Sequence, residues 1–499
     1  MYQIILRLYG IAALMDRYKY YFLIAGLTLW LFRPTGSDFY IIFVLLYLIL
    51  NFVNKPTLIN DLPINIKAIK IIIYISLALI TTTLFMKFMS FGYHHMDLGL
   101  QHQLIINLVK NNEYFHKFHN IHGFGDHFKP THIPFMYLFY NISVTSFWLV
   151  FFKCFSLVTF ALLFLKINKN LAPIILLSYL LFSTHNISSI FWEYHPTNLL
   201  PALVIIIYYS ILKRNWLVFW ITMIFSIGLK ENAAVLLVCF GIYFVFIEKK
   251  IKFGIPLCSI GLIYMILAYF VVIPFFSAQG SGTFSSDINL FRDIPEKIRY
   301  IFIAYAPFFF LPFLNWRWLL FTLPALGINL IGKPQMYSGS FHYADILTAL
   351  IALASLMTLT EYYEQIKTYL FKSRLLALFP VALIVLIIPE SPMQKFVRYF
   401  PDDNDRAVFF ELHKFLEENP TQKLAVSSNL SPLMDRANFE IFVADYRCNI
   451  NNNAKYIVYY DKTYRNQAHL DECIKKIQSS KVWRKVNKFE RIGVYEVRS

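Results

Sequence analysis

Charge is what this sequence has least of. Asp, Glu, Lys and Arg together make up 15% of its 499 residues, where a soluble domain carries about 25%. That shortage excludes a soluble globular enzyme, and the 57% hydrophobic content excludes a disordered or fibrous chain. Cysteine is scarce as well, and five residues are too few for a disulfide framework. Cys154, Cys239 and Cys258 lie in apolar runs and read as inert thiols. Cys448 and Cys473 lie in the polar C-terminal part, and pairing is open to them if that part is extracytoplasmic. No small-residue cleavage site follows the first apolar run, so a cleavable signal peptide is not expected. GxGxxG, Walker A, GxSxG, CxxC and zinc-ligand spacings are all missing, which removes the case for a nucleotide-driven pump or a serine hydrolase. Neither an internal repeat nor a low-complexity tract is present.

What is abundant is apolar and aromatic: 50 Phe, 33 Tyr and a mean hydropathy of +0.51. A membrane span needs about 20 mostly apolar residues at 1.5 Å rise each. Such runs fall at 20–33, 38–54, 68–90, 143–165, 171–190, 197–212, 216–229, 232–247, 255–276, 299–314, 317–332, 343–360 and 376–390. They predict an α-helical polytopic membrane protein with about 13 transmembrane helices over residues 1–390. The net charge of +16 is then read as cytoplasmic Lys and Arg beside membrane lipids rather than as a nucleic-acid surface. Alternate connections are short and basic: Arg17 and Lys19, Lys55 to Lys70, Lys166 and Lys169, Lys213 and Arg214, Lys249 to Lys252, Lys367 to Arg374. Placing these in the cytoplasm puts five polar stretches on the opposite side: loop 91–142, the Glu193–Pro196 segment, the Lys230–Glu231 corner, loop 277–298 and Lys333–Asp345. Residues 391–499 follow them and read as a small extracytoplasmic α/β domain. Its elements are an amphipathic helix over 405–418, strands in KLAVSS and AKYIVYYDK, a helix in HLDECIKKIQSS and closing strands in VWRKV and IGVYEVRS.

The polar residues outside gather into a few short elements. Asp97, in HHMDLGLQHQ, stands where an N-cap would stand, and a helix N-terminus favours its ionised form. As plain structure it is a cap; as chemistry it is a carboxylate able to orient or deprotonate a hydroxyl. Asp126 and His127, in GFGDHFKP, are a second acid with an imidazole beside it, or an ordinary turn. His94, His95, Asp97, Asp126, His127 and His132 form a candidate set for a divalent metal ion, without a diagnostic spacing. Glu193 and His195, in WEYHP, and Lys230 and Glu231, in GLKEN, are charges placed where the bilayer makes charge costly. His342 and Asp345 follow Lys333, and Arg292 and Lys297 lie in loop 277–298. The basic residues Lys230, Arg292, Lys297 and Lys333 are candidate phosphate partners.

These elements in this order resemble a known family. MDLGLQHQ, GDHFKP, FWEYHP, LKENA, HYAD and a late LSPLMDR are similar to the motifs of the bacterial and archaeal predicted membrane proteins of domain of unknown function 2079, from about residue 90 to 445. That family is grouped by fold with the GT-C glycosyltransferases. The resemblance implies a GT-C-like transmembrane domain over 1–390, with a catalytic external loop at 91–142, and a C-terminal periplasmic domain. It implies transfer of a sugar from a polyprenyl-phosphate donor to an envelope acceptor, a glycan, lipid or protein, on the outer face of the bacterial inner membrane. Asp97 matches the family's catalytic acid in the first external loop. Asp126 and His127 are expected to support it or to bind a metal. Lys230, with Arg292 or Lys333, is expected to steady the departing phosphate, and Glu193, His195, Glu231 and His342 to line the substrate pocket. A multi-pass transporter or lipid or polysaccharide flippase is the competing expectation. A non-catalytic envelope scaffold is a third.

Overall fold

The structure is a computed structural model. It describes residues 66–93, 97–116, 121–140, 145–277, 292–339, 341–363, 392–435, 438–444, 447–448, 450, 453–462 and 467–498. The expected spans 20–33, 38–54 and 376–390, His94 and His95, and the expected domain boundary at 390 lie outside the described residues.

Among the described residues, four helices are long and apolar enough to cross a bilayer: α1 (Ile66–Met89), α4 (Phe147–Ile167), α10 (Ile251–Phe276) and α13 (His342–Glu361). Between α1 and α4 lie α2 (Asp97–Asn111), a two-residue hairpin β1–β2 (Phe115–His116, Ile121–His122) and α3 (His132–Tyr140). The expected span 171–190 is a pair, α5 (Ala172–Phe182) and α6 (Thr184–Phe191), bent by 63° and counting as a fifth span if taken together. The bend has a local cause. The Ser183 hydroxyl accepts from the Asn186 N–H, so the second helix has its own cap. Three further apolar helices, α7 (Pro196–Leu212), α8 (Trp216–Ile227) and α9 (Glu231–Ile247), are shorter. So is α12 (Trp316–Ile331), which follows α11 (Ile294–Tyr305). At 1.5 Å per residue, about 12 to 17 residues do not reach across 30 Å. The expected span 299–314 breaks after α11, where Pro307 and Pro312 open two short turns around Phe309 and Phe310 at φ 56° and 52°.

The helices obey the bilayer's demand that polar groups be met internally. Ser76 and Thr83 in α1 and Ser226 in α8 donate to the carbonyl four residues earlier, at 2.6–2.7 Å. α13 is the central helix, with most of its residues buried, whereas α10 lies on the periphery with many of its large apolar side chains exposed.

The C-terminal part carries a six-stranded mixed sheet in the order β5–β4–β3–β6–β8–β7. The strands are β3 (Leu424–Ser427), β4 (Phe439–Ala444), β5 (Arg447–Cys448), β6 (Tyr456–Tyr459), β7 (Trp483–Lys485) and β8 (Gly493–Val497). β3 is central and runs parallel to both neighbours; β8 is antiparallel to β6 and β7. β4 is absent from the sequence reading because Phe439, Ile441 and Phe442 are all buried, so the run lacks the alternation of a one-sided strand. α14 (Asp403–Glu418) covers one face through Val408, Leu412 and Phe415, and α15 (Gln467–Ser479) covers the other through Leu470, Cys473 and Ile477. A disulfide, Cys448–Cys473, ties the edge strand β5 to α15.

This sheet domain docks directly on α2. His102 Nε2 donates to Met434 O (2.6 Å), Gln103 Nε2 to Phe439 O (2.8 Å) and Lys110 Nζ to Asp435 O (2.8 Å). Burial drives the His102 pKa down to about 4, so the ring is neutral and its single N–H is spent on that carbonyl. Gly99 makes the approach possible: a Cβ there would lie 1.8 Å from Ser431 Oγ. The glycine of DLGLQ and the serine of LSPLM are therefore one contact, and the helix that starts at Asp97 and the C-terminal domain share one side of the molecule.

Candidate functional site

Five stretches far apart in sequence meet at one end of the helices. The first pair is the start of α2 and the end of α6. The Trp192 indole N–H donates to Asp97 Oδ2 (2.9 Å), and the Leu98 backbone N–H donates to Glu193 Oε2 (2.9 Å). Two carboxylates thus share one helix N-terminus, where unspent N–H groups and the helix dipole favour negative charge. The C-terminus of α6 is met by cations. Lys153, from α4, donates to the carbonyls of Ser189 (3.2 Å), Trp192 (2.8 Å) and Glu193 (3.3 Å), and Lys87, from α1, to that of Phe191 (2.7 Å). Both ammonium groups are buried in apolar helices, a position sustained by these carbonyls.

The loop 127–131 is latched onto the break between α8 and α9. Glu231 receives His127 Nδ1–H at 2.9 Å and the Phe128 backbone N–H at 3.0 Å. Thr131 donates its N–H to Gly228 O (3.0 Å) and its hydroxyl to Phe225 O (2.7 Å). A Cβ on Gly228 would come within 2.4 Å of Thr131 Cγ2, so only glycine lets the loop close here. The carboxylate facing His127 Nδ1 assigns the proton to that nitrogen. Nε2 then carries the lone pair, 3.9 Å from Asp126 Oδ1. The same loop reaches α2, where Lys129 Nζ donates to Gln101 Oε1 (3.1 Å).

Lys230 sits in extended backbone as the N-cap of α9, with Nζ 3.4 Å from His195 Nε2. The His195 ring stacks on that of His342, centroids 3.9 Å apart and 12° from parallel. Next to them Asp345 accepts from the Ser189 hydroxyl, the Thr197 hydroxyl (3.0 Å) and the Asn198 amide (2.8 Å). The two residues after His195–Pro196 are thus donors to an acid supplied by α13.

Exposure divides the cluster. Glu193, Lys129, Glu231, Lys230, His195 and His342 are each no more than 6% exposed and form its floor. Asp97, Asp126 and His127 are partly exposed and form its rim. Burial drives the Lys129 pKa down to about 8, with Lys230 adding to the fall and Asp126, Glu231 and Asp97 opposing it. Burial also lowers Lys230, against the pull of Glu231, Asp126 and Asp97. Burial, then His342 and Lys230, holds His195 well below the ordinary imidazole value and so neutral.

The residues singled out from sequence divide accordingly. Asp97, Asp126, His127, Glu193, His195, Lys230, Glu231 and His342 come together. Arg292 and Lys333 belong to a different corner. There Arg292 lies 3.8 Å from Asp293, Tyr337 donates to Asp293 (2.7 Å), and Lys333 precedes the short helix Pro334–Tyr337 without a side-chain capping bond. Among the described residues no three His, Cys, Asp or Glu side chains are grouped to hold a metal ion. Four partners were missed: Lys87, Lys129, Lys153 and Trp192; Asp345, singled out only as a carboxylate after His342, proves to gather three donors. A lysine inside an apolar run such as FWLVFFKCF is the signal that points to Lys153 and, in LFMKFM, to Lys87.

Fold and site define a class, a mostly helical membrane protein with several apolar helices, a polar cluster at one end of them and a small C-terminal sheet docked beside it. Its family follows from the sequence match. The model of the predicted membrane protein family DUF2079 covers residues 87–482, all the clustered motifs included, and the chain belongs to that family. No curated protein and no solved structure matches it.

Proposed function

We propose that the chain is a membrane glycosyltransferase of GT-C type, carrying a sugar from a polyprenyl-phosphate donor to an envelope acceptor on the extracytoplasmic face of the bacterial inner membrane. One observation carries the reading. A partly exposed acid and a carboxylate-oriented imidazole, Asp97 and His127, rim a buried floor that holds two ammonium groups, Lys129 and Lys230. Acid and base at the rim suit a hydroxyl acceptor, and cations in the floor suit a phosphate leaving group. The acceptor oxygen bonds to the anomeric carbon as that carbon's bond to the phosphate oxygen breaks. The phosphate keeps the electron pair, and the acceptor proton passes to the rim. Asp97 already accepts from Trp192 and stands at a helix N-terminus, so it is a weak base and serves to orient the hydroxyl. His127, with Nδ1 held by Glu231 and Nε2 open, takes the proton. A GT-C-like domain of about 13 spans accommodates the described helices, with short ones such as α8 and α9 as parts of broken spans. The C-terminal domain selects the acceptor in this reading, which its hydrogen bonds to α2 support.

Sidedness has two supports. Lys213, Lys250 and Arg317 gather with Trp216 and Trp316 at the helix ends remote from the motifs, as cytoplasmic ends do. The Cys448–Cys473 disulfide suits an oxidising compartment. A purified-protein assay with a panel of polyprenyl-phosphate sugars, with and without EDTA, tests the activity. Asp97→Asn is expected to abolish transfer while expression and insertion persist; full activity in that variant rejects the assignment.

A further inference from the structure

The carboxylates of the cluster are all engaged. Asp97 has the Trp192 indole, Asp126 the His127 ring at 3.9 Å, Glu193 the α2 backbone, Glu231 the His127 loop and Asp345 three side-chain donors. Two of the cations are engaged as well, Lys153 on three carbonyls and Lys87 on one. Lys230 differs. Among the described residues its three N–H donors meet one hydrogen-bond partner, the nitrogen of His195, at 3.4 Å, with the Tyr343 ring face 5.6 Å away. His195 accepts there, so its own proton is on Nδ1, facing Thr197 Oγ1 at 3.4 Å, whose hydroxyl goes on to Asp345. Among the described residues, the ring of His342, stacked on His195 and 6% exposed, has no hydrogen-bond partner for either nitrogen. A buried imidazole with both nitrogens unspent, in electrostatic reach of an ammonium with unspent donors, is what an occupied site looks like without its occupant. The occupant has to accept hydrogen bonds and carry negative charge, because a second cation would face both Lys230 and Lys129. A compact oxyanion fits, and Lys129, which also acts electrostatically on Lys230 and His195, adds a third positive contribution.

We propose that Lys230 and His342 form the seat of a phosphate monoester or diester, with His195 as the positioning residue that fixes Lys230. The proposal rests on the glycosyl-transfer reading for its chemistry. It makes the seat the place where the donor's phosphate is held before the glycosidic bond breaks and where the negative charge collects afterwards. His342 supplies an N–H to one phosphate oxygen and Lys230 two N–H groups to the others, and these are the donors the protein itself leaves unspent.

The test is a direct binding measurement on the purified full-length protein, independent of any transfer assay. Calorimetric titrations would use inorganic phosphate, citronellyl phosphate as a soluble polyprenyl-phosphate analogue, and nanodiscs containing dioleoylphosphatidic acid. His342→Phe keeps the ring and its stacking while removing both nitrogens; Lys230→Gln keeps length while removing the charge. Each is expected to weaken citronellyl phosphate binding tenfold or more, with the folded state checked by unchanged thermal unfolding of the sheet domain. Tighter binding of citronellyl phosphate than of the other two probes supports a polyprenyl source. Equal binding of phosphatidic acid supports a general lipid headgroup, and equal binding of inorganic phosphate a free ion, each in the same seat. No binding of any probe at 10 mM, on the order of the weakest useful affinity, overturns the proposal, as does wild-type affinity in both variants. Binding that is lost in the variants, without sugar transfer by the wild type, retains the seat and removes the transferase reading. Transfer that survives in both variants with affinity unchanged does the reverse.

Discussion

Replacing Glu231 with Gln separates the chemistry of the site from its architecture. The Glu231 carboxylate holds two donors at once, His127 Nδ1–H at 2.9 Å and Phe128 N–H at 3.0 Å. A glutamine has one acceptor oxygen and one NH2 group in the same place. The backbone N–H has no alternative to donating, so it takes the oxygen. The NH2 group then faces His127 Nδ1, which is able to accept only if its proton moves to Nε2. The loop stays latched, and the tautomer is reversed. Two charge-assisted hydrogen bonds give way to neutral ones, a loss of about 1–2 kcal/mol of stability. The catalytic loss is larger, because the lone pair that receives the acceptor proton is gone. A misplaced general base costs about 10²–10⁴ in rate, or about 3–5 kcal/mol. Transfer of labelled sugar should therefore fall in kcat at nearly constant KM. ¹⁵N spectra of histidine-labelled protein should show one ring exchange its Nδ1–H for Nε2–H. Glu231→Ala, by contrast, frees the loop and should lower stability by about 2–4 kcal/mol as two donors lose their acceptor. Transfer at the wild-type rate by Glu231→Gln between pH 6 and 8 would refute the assignment of His127 as base.

Other perturbations probe the remaining parts. Lys129, with its pKa near 8 in the fold and 10.5 ordinarily, carries one proton fewer than the unfolded chain between those values. Its contribution therefore opposes folding fully below pH 8 and is relieved as pH rises toward 10.5. Lys129→Met should be more stable than wild type at pH 7, by up to about 3 kcal/mol, and should flatten the rise across that window; equal pH dependence of unfolding in the two proteins would contradict this. Phosphate affinity in the wild type should fall above pH 8 as the Lys129 charge is lost. Gly99→Ala drives a methyl into Ser431 and should cost about 1–3 kcal/mol, with the sheet domain becoming protease-sensitive; Ser431→Gly in the same chain should restore resistance. Thiol labelling of denatured protein should count three cysteines before reduction and five after, Cys448 and Cys473 being the pair released. Breaking that bridge, with a sequence separation of 25, should cost roughly 3 kcal/mol.

How far sequence reasoning reached depended on whether a feature is written locally. The apolar runs that became α1, α4 and α13 are nearly as long as the bilayer is thick, and length alone marks them. The amphipathic stretch 405–418 coincides with α14 because its buried positions Val408, Leu412, Phe415 and Leu416 keep the helical period. The bend at Ser183 is harder to see, since a serine in an apolar run is common and acts as a cap only when the next helix turns away. Two of the phosphate candidates, Arg292 and Lys333, show the limit most plainly. A basic side chain in a loop announces its charge but not its neighbour, and here the neighbours are Asp293 and a helix end.

The motifs fared differently because each carries half of a contact whose other half is another motif. Gly99 meets Ser431, Asp97 meets Trp192, Glu231 meets His127, and His195 meets both Lys230 and His342. What no motif displays is the means by which so many acids persist beside a bilayer. They stand at helix starts: Asp97 and Glu193 at α2, Glu231 at α9 and Asp345 at the start of the long helical part of α13. The two lysines buried deepest in apolar helices, Lys87 and Lys153, close a helix end of the opposite polarity, the C-terminus of α6. Backbone dipoles and caps thus compensate six of the site's charged side chains. Lys129 and Lys230, each held by one neutral partner, are the charges that this arrangement leaves over, and a site whose acids and structural cations are already satisfied directs its remaining cations at whatever enters from outside.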